Sequence, residues 1–432
     1  MNSEKNIRME HDLLGAREIP ADALYGIQTL RGVENFSISK FKLSQYPLFI
    51  NGLAYTKWAA AEANHQLGLL TDAQYEGIKA ACQDILAGKY HDQFPVDMIQ
   101  GGAGTSTNMN ANEVIANIAL KHMGFKPGDY EHCSSHDHVN RSQSTNDAYP
   151  TAIHMGMYAS HLALVPHIKE LIAAFRKKSE EFAHIVKMGR TQLEDAVPMT
   201  LGQTFSGFAS ILEAELLHLD QAAADFLEVN MGATAIGTGI CSEPGYAEKC
   251  VKALAEITGW DITLAKDLVG VTSDTSCMIG YMSELKRIAV KMSKISNDLR
   301  LLASGPRCGL GEINLPARQP GSSIMPGKVN PVIPEMVFLS TDRVCANHAG
   351  LVSGVLSGWL ELGTSSGIPI KSFIESADLI SRTMRVFADK CIKGITANRK
   401  HCLDMTEKST SLATMVSALF GYEIGTKIAH IA

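Results

Sequence analysis

Paired cysteines and aromatic side chains are what this 432-residue sequence has little of. Its nine cysteines are odd in number and widely spaced, they form no Cys-x-x-Cys pair, and aromatic residues make up 6% of the chain. A disulfide framework and a zinc site are therefore both disfavoured, and the cysteines are interpreted as small buried hydrophobic residues. This usage fits a reducing compartment, so we predict a cytoplasmic protein.

Long apolar runs and an excess of basic charge are also missing. No stretch approaches the roughly 18 uninterrupted apolar residues of a membrane-spanning helix, and the first ten residues contain no apolar signal core. The formal net charge is −6, without the basic stripe typical of nucleic-acid or membrane-surface binding. We expect no nucleic acid and no membrane as partners, whereas a small anionic ligand at a local basic site stays possible.

Helical periodicity dominates the middle of the chain. In residues 276–304, apolar or small residues recur at alternating steps of four and three, which predicts a long helix packed in a bundle. Residues 203–229, 151–183 and 337–359 predict three more long helices, and Pro166 predicts a kink in the second of these. Two apolar stripes on a helix indicate a bundle shared between subunits. Alternating strand–helix units are absent, which disfavours a Rossmann-type domain.

The rest of the chain differs in character. Residues 1–144 alternate helical segments, at 48–69 and 71–87, with glycine-rich loops, and the tail from about residue 397 is short and mixed. We therefore predict a mostly helical N-terminal domain (1–144), a central helix-bundle domain (145–396) and a short C-terminal domain (397–432).

Four polar loops are dense in Gly, Ser, Thr and Asn, namely residues 101–110, 140–147, 189–195 and 321–331. The second and third precede predicted long helices, whose N-termini bind anions through free N–H groups and the helix dipole. With Lys328 added, the loops could hold a small dicarboxylate without a metal. Any one of these loops, taken alone, is more readily interpreted as turns and helix caps.

Three weaker patterns carry no prediction of a cofactor or metal. The first loop lacks the Gly-Lys-Ser/Thr ending of a phosphate-binding loop, and residues 232–239 lack the strand–helix context of a dinucleotide site. A lone His-x-His, at His136 and His138, is not specific for a metal ion.

The fourth loop reads Gly-Ser-Ser-Ile-Met-Pro-Gly-Lys-Val-Asn-Pro, which resembles the signature of the aspartase/fumarase superfamily. The other loops, with segments 8–12 and 25–29, resemble the remaining conserved regions of that family in the same order. The similarity is close from about Arg8 to Glu335. It implies an all-α, three-domain lyase whose central long-helix bundle assembles into a twenty-helix core in a homotetramer, with active sites shared between subunits.

Three places resemble aspartases more than fumarases. The first loop has Ala103 where fumarases have Ser, the third has Gln192 where they have His, and Val332-Ile333-Pro334-Glu335 follows the signature. The resemblance thus implies a cofactor-free ammonia-lyase that converts L-aspartate to fumarate. The alternatives are another carbon–nitrogen lyase with a different amine, a fumarate hydratase, and an inactive structural or binding relative.

Residue roles follow from the same resemblance. Ser322 would be the base, if loop N–H groups and a nearby cation hold its oxyanion. Lys328 and Asn330 would bind the carboxylate that becomes the enediolate, assisted by Thr191 and Gln192. The other carboxylate and the amino group would be held by four further side chains: Thr105, Ser144, Thr145 and Asn146.

The resemblance weakens after Glu335, which is present without the histidine that pairs with it in many family members. Residues 337–340 read Val-Phe-Leu-Ser, and residues 361–367 depart from the family's Glu-Leu-Asn-x-x-x-Pro segment. The chain also ends some tens of residues before a typical aspartase does. We expect these departures to affect the pocket wall, the leaving group or stability, and expect a cut-down C-terminal domain.

Overall fold

Helices carry the fold of the computed structural model, which describes residues 7–363 and 367–431. Within these ranges the helices are α1 (Ile27–Asn35), α2 (Pro47–Gln66), α3 (Asp72–Leu86), α4 (Thr105–His122), α5 (Thr145–Glu181), α6 (Leu201–Ala223), α7 (Tyr246–Thr258), α8 (Leu268–Ser273), α9 (Cys277–Leu302), α10 (Val332–Val355), α11 (Gly367–Lys390), α12 (Arg399–Glu407), α13 (Ala413–Phe420) and α14 (Tyr422–Ile431).

The strands are short and pair only two by two in the described part of the chain. They are β1 (Ile7–Asp12), β2 (Gly15–Pro20), β3 (Val186–Thr191), β4 (Glu194–Thr200), β5 (Glu228–Val229), β6 (Thr263–Leu264), β7 (Ile313–Asn314) and β8 (Thr396–Ala397). The pair β5–β6 is parallel, and the pairs β1–β2, β3–β4 and β7–β8 are antiparallel. The predicted all-α class is confirmed, and the small two-stranded sheets are local additions to it.

The long predicted helices are confirmed, and their ends shift for local reasons. Helix α9 matches its apolar stripe, while α6 ends at Ala223 and continues as a single 3-10 turn, Ala224–Leu227. Helix α5 starts at Thr145, earlier than predicted, because Ser144 Oγ and the Asp147 carboxylate accept the free N–H groups of its first turn. It continues through Pro166, so the proline does not end the helix.

The first compact unit comprises the described residues of 1–162, 220–283 and 346–377. Helix α2 packs against α3 and α7 there, and α4 packs against α3 and α1. Alanines on α2, such as Ala59 and Ala60, meet the apolar face of α7 in a buried cluster with Leu254. Small residues on α2 thus permit close helix approach, which places the following loops on a rigid support.

The second compact unit comprises residues 163–219, 284–345 and the described part of 378–432. Its core contains a buried aromatic cluster in which Phe175 contacts Phe205, Phe208 and Phe387 with ring centroids about 6 Å apart. Five long helices contribute residues to both units: α5, α6, α9, α10 and α11. The three-domain division of the sequence stays a prediction.

No helix among the described residues has both the length and the apolar character that a membrane span needs.

The segment 361–367, which departs from the family pattern, is described only in part, because residues 364–366 lie outside the described residues.

The crossing of α2 and α5 supplies a test of the packing. A Cβ on Gly52 would lie 2.2 Å from the carbonyl oxygen of Ala152, so Gly52→Ala forces the two helices apart. We expect a cost of about 1–3 kcal/mol and a melting temperature several degrees lower in calorimetry. The matched control is Gly207→Ala on α6, where an added Cβ meets no atom within 4 Å. Equal melting temperatures for the two variants would contradict the close crossing.

Candidate active site

The first polar loop ends in a tight turn that starts α4. Gly102, Ala103 and Gly104 all have positive φ, at 89°, 52° and 91°, and Thr105 opens the helix with its hydroxyl donating to the Gly102 carbonyl at 2.8 Å. A Cβ at Gly104 would lie 2.3 Å from the ring of Tyr149, in the first turns of α5. Only glycine permits this approach, and it brings Thr105 near the second loop.

The second loop forms the capped start of α5. The buried Asp147 carboxylate accepts N–H groups from Ser144, Gly232 and Thr234 at 2.9–3.1 Å. Burial raises the pKa of Asp147 to about 6, and the hydrogen bonds from these N–H groups oppose that rise. The Asn146 amide donates to the carbonyl of Ala235 at 2.8 Å. Ser144, Thr145 and Asn146 are therefore held by buried anchors on both sides.

The side chain of Asn140 joins these two loops. Its Oδ1 accepts hydrogen bonds from Lys57 Nζ at 3.1 Å, Asn108 Nδ2 at 3.2 Å and Asn112 Nδ2 at 3.0 Å. Asn108 also donates to the hydroxyl oxygen of Thr145 at 3.3 Å. One amide oxygen thus links α2, α4 and the segment that leads into α5, which fixes the loops relative to each other.

Lys57 is the charged member of this hub and is fully buried. Its ammonium also donates to Gln143 Oε1 at 2.8 Å, so its hydrogen-bonded acceptors are neutral amides. Burial lowers the pKa of Lys57 to about 7, partly opposed by the charge of Asp147. Sequence reasoning missed this residue, although a lone lysine in the apolar run of α2 and the Asn-x-Asn-x-Asn repeat of α4 were visible signals.

Two histidines, His136 and His138, precede the second loop and make local hydrogen bonds. They lie in a π-helical turn, Ser135–Val139, where His138 Nδ1 accepts the N–H of Ser134 at 2.7 Å and His136 Nε2 lies 2.7 Å from Gln28 Nε2. Burial lowers the pKa of His138. In the described ranges, no group of three or more His, Cys, Asp or Glu side chains is arranged to hold a metal ion.

The third loop corrects a prediction, because it is a β-hairpin and does not directly precede a helix. Strands β3 and β4 pair up to Thr191 and Glu194, and helix α6 begins only at Leu201. The two turn residues, Gln192 and Leu193, have φ of 55° and 69°, the left-handed region that two-residue hairpin turns require. Neither is glycine, so each costs about 1–2 kcal/mol of backbone strain.

The fourth loop is closed at its base and exposed along its length. The N–H of Gly321 donates to the carbonyl of Lys328 at 2.7 Å, and Asn330 Nδ2 donates to the carbonyl of Gly321 at 3.1 Å. The Ser322 hydroxyl oxygen accepts two backbone N–H groups, from Ile324 at 3.2 Å and Met325 at 3.0 Å. The side chain of Ile324 is exposed, so this loop presents its chemistry to solvent.

The structure therefore divides the predicted residues between the two compact units. Thr105 and Ser144 to Asn146 share the first unit, while the hairpin turn and the fourth loop belong to the second. Glu335 starts α10 and lies 3.9 Å from Arg300. A cavity of about 650 Å³ in the first unit borders Asn230, which donates to the Asn146 carbonyl, but none of the predicted site residues lines it.

Comparison with known proteins identifies the family of this chain. Residues 15–346 match the lyase family. The chain belongs to that family. This lyase is 51% identical over 433 residues to the aspartate ammonia-lyase of Pseudomonas canavaninivorans, covering all of this chain and 91% of that protein. It is 48% identical over 427 residues to the aspartate ammonia-lyase of Escherichia coli (strain K12), covering 99% and 89%.

Solved structures agree with the family assignment. The lyase superposes on the fumarate lyase:delta crystallin from Brucella melitensis bound to cobalt with a TM-score of 0.96, at 49% identity over 99% of this chain and 93% of that one. For class II fumarase from Schistosoma mansoni the TM-score is 0.93, at 30% identity over 98% and 92%. The fold expected from the signature loop is thereby confirmed.

The lowered pKa of the buried Lys57 predicts how the stability of the protein changes with pH. Because the pKa of Lys57 is lowered in the fold, the unfolded chain binds more protons between about pH 7 and pH 10, and the stability of the native protein rises with pH there. We expect Lys57→Met to remove a slope of up to about 1.4 kcal/mol per pH unit in melting experiments between pH 7 and 9.5.

The control for this experiment is Lys252→Met, whose wild-type side chain is 78% exposed. Its stability should follow that of the wild type across the same pH range. Parallel curves for Lys57→Met and wild type would show that the ammonium is not buried as described.

Proposed function

We propose that this lyase eliminates ammonia from L-aspartate to give fumarate, with Ser322 as the base. The observation that carries the proposal is the pair of backbone N–H groups that donate to the Ser322 hydroxyl oxygen. Hydrogen bonds to an oxygen stabilise its anionic form and lower its pKa. The loop thus favours the serine oxyanion, which is the form that abstracts a proton.

The chemistry needs such a base together with strong positive charge. The Cβ proton of aspartate is weakly acidic, and its removal converts the neighbouring carboxylate into an enediolate dianion. Lys328 is exposed on the same loop as Ser322, and no hydrogen bond or ion pair of its ammonium is described. We assign it to the dianion, with Asn330 beside it and with Thr191 and Gln192 donating from the hairpin.

The hydroxyls of the first unit divide between donors and acceptors. Ser144 accepts the N–H of Asn146, and Thr145 accepts from Asn108, so both keep their own proton for a substrate carboxylate. The Thr105 hydroxyl donates its hydrogen bond to the Gly102 carbonyl, so its lone pairs can accept from the ammonium of aspartate. This division supports their assignment to the second carboxylate and the amino group, with Asn146 completing the set.

A homotetramer with shared active sites is part of the proposal. Thr105, Gln192 and Lys328 are exposed in the isolated chain, although each would contact a charged substrate. Assembly would surround them with protein and exclude water, which strengthens electrostatic stabilisation. The cytoplasmic location stays a prediction from cysteine usage.

A direct assay tests the activity. Purified protein given L-aspartate should release fumarate, followed by its ultraviolet absorbance, and the same protein given L-malate should release none. Fumarate from malate alone would favour a hydratase. If neither compound reacts, substituted aspartates distinguish a lyase with another amine from an inactive relative.

Ser322→Ala isolates the proposed base. We expect kcat to fall by about 10²–10⁴-fold, as for removal of a general base, with little change in melting temperature because the side chain lies in an exposed loop. Ser323→Ala, the adjacent exposed serine, is the matched control and should stay within about tenfold of wild type. Activity that persists in Ser322→Ala would assign proton abstraction to another group.

A further inference from the structure

A buried ion-pair cluster lies at the base of the β3–β4 hairpin. The Glu312 carboxylate is 1% exposed and pairs with Arg190 at 2.5 Å and with Lys187 at 3.2 Å. Both cations belong to β3, on the strand that leads into the turn. A buried carboxylate between two cations is strongly fixed, because moving it would leave unpaired charge inside the protein.

Arg190 connects the buried Glu312 carboxylate to the hairpin turn. It immediately precedes Thr191, and across the hairpin its Nε lies 3.8 Å from the carboxylate of Asp195. The pairing register shifts between Met188 and Arg190, so a bulge sets the direction of the Arg190 side chain. The guanidinium therefore lies between the buried Glu312 carboxylate and the opposite strand, directly beside the strained pair, Gln192 and Leu193.

Glu312 is itself held by its backbone. Its N–H donates to the Leu302 carbonyl at 2.9 Å, at the end of α9, and its carbonyl accepts the N–H of Asn398 at 2.9 Å, at the start of α12. The carboxylate thus belongs to a frame that joins α9, α12 and the chain that continues into the Ser322 loop. The hairpin thus has two anchored cations on β3, Lys187 and Arg190, whereas no hydrogen bond of the Gln192 side chain is described.

We propose that Glu312 is a positioning residue of the elimination reaction. It acts through Arg190 by keeping the Gln192–Leu193 turn in its left-handed conformation, so that the Thr191 hydroxyl and the Gln192 amide meet the developing enediolate. The proposal rests on the proposed function of those two residues. It differs from a purely structural role, because loss of Glu312 would impair the reaction in protein that is folded and assembled.

The test is Glu312→Gln, which keeps the shape and removes the charge. We expect kcat/KM for L-aspartate to fall by about tenfold to a hundredfold, since a displacement of about 1 Å at a positioning group costs about a hundredfold. The loss should lie mainly in kcat, because the assisted group is the carboxylate whose charge grows in the transition state.

A matched control exists in the same unit. Glu215 is also 1% exposed and also pairs with two cations, Arg287 and Lys291, but it lies on α6 away from the turn. Glu215→Gln removes an equivalent buried charge and should lower the melting temperature while leaving kcat near wild type. A kinetic loss of equal size in Glu215→Gln would overturn the proposal, because the effect would then report general damage.

A double-mutant cycle identifies the route of the effect. In a background where both Thr191 and Gln192 are replaced by alanine, Glu312→Gln should lower kcat/KM by less than about threefold, since residues that act as a unit are not additive. A full additive loss would show that Glu312 acts elsewhere. Should Glu312→Gln fail to fold, Arg190→Lys keeps the charge but loses the fork geometry, and it should show the same non-additivity.

Wild-type activity separates the two levels of inference. If wild-type protein releases no fumarate from L-aspartate, the proposed function fails. If the wild type is active and Glu312→Gln matches it in kcat and KM, only the positioning role is overturned.

Discussion

A single amide oxygen, Oδ1 of Asn140, sets the geometry of the first unit. Three donors from two helices converge on it, one of them the buried ammonium of Lys57. A buried amino group among neutral acceptors tolerates little displacement, because each lost hydrogen bond would leave a buried polar group without a partner. The hydroxyls proposed to contact the substrate are therefore positioned by a hydrogen-bonded network whose donors, Lys57, Asn108 and Asn112, are buried.

The second unit fixes its loops with a different set of contacts. Its hairpin turn is strained and its signature loop is exposed, so both need rigid ends. Glu312 supplies one through ion pairs to β3, and the crossed hydrogen bonds of Gly321, Lys328 and Asn330 supply the other. In each unit, side chains proposed to touch the substrate project from short segments whose flanks are held by polar contacts.

Periodicity and the signature loop made most of the helical architecture predictable, because apolar spacing on α9 and α6 is a direct record of burial. The hairpin was not predictable, since Gln192-Leu193 carries none of the Gly or Asn residues that announce a two-residue turn. Lys57 and Glu312 were also missed, because charged residues are ordinarily assigned to the surface. Lys57 and Glu312 each depend on partners that are distant in the sequence, and the hairpin is anchored through the same Glu312.

The turn at Gln192 and Leu193 has a consequence for how this chain can change over time. Asn-Gly would adopt the same backbone with less strain, so selection for stability alone would drive that exchange. It would also delete the amide arm proposed to reach the substrate. On the proposed role of Gln192, the turn gives up backbone stability for an amide at the substrate, so stability and turnover oppose each other at this position.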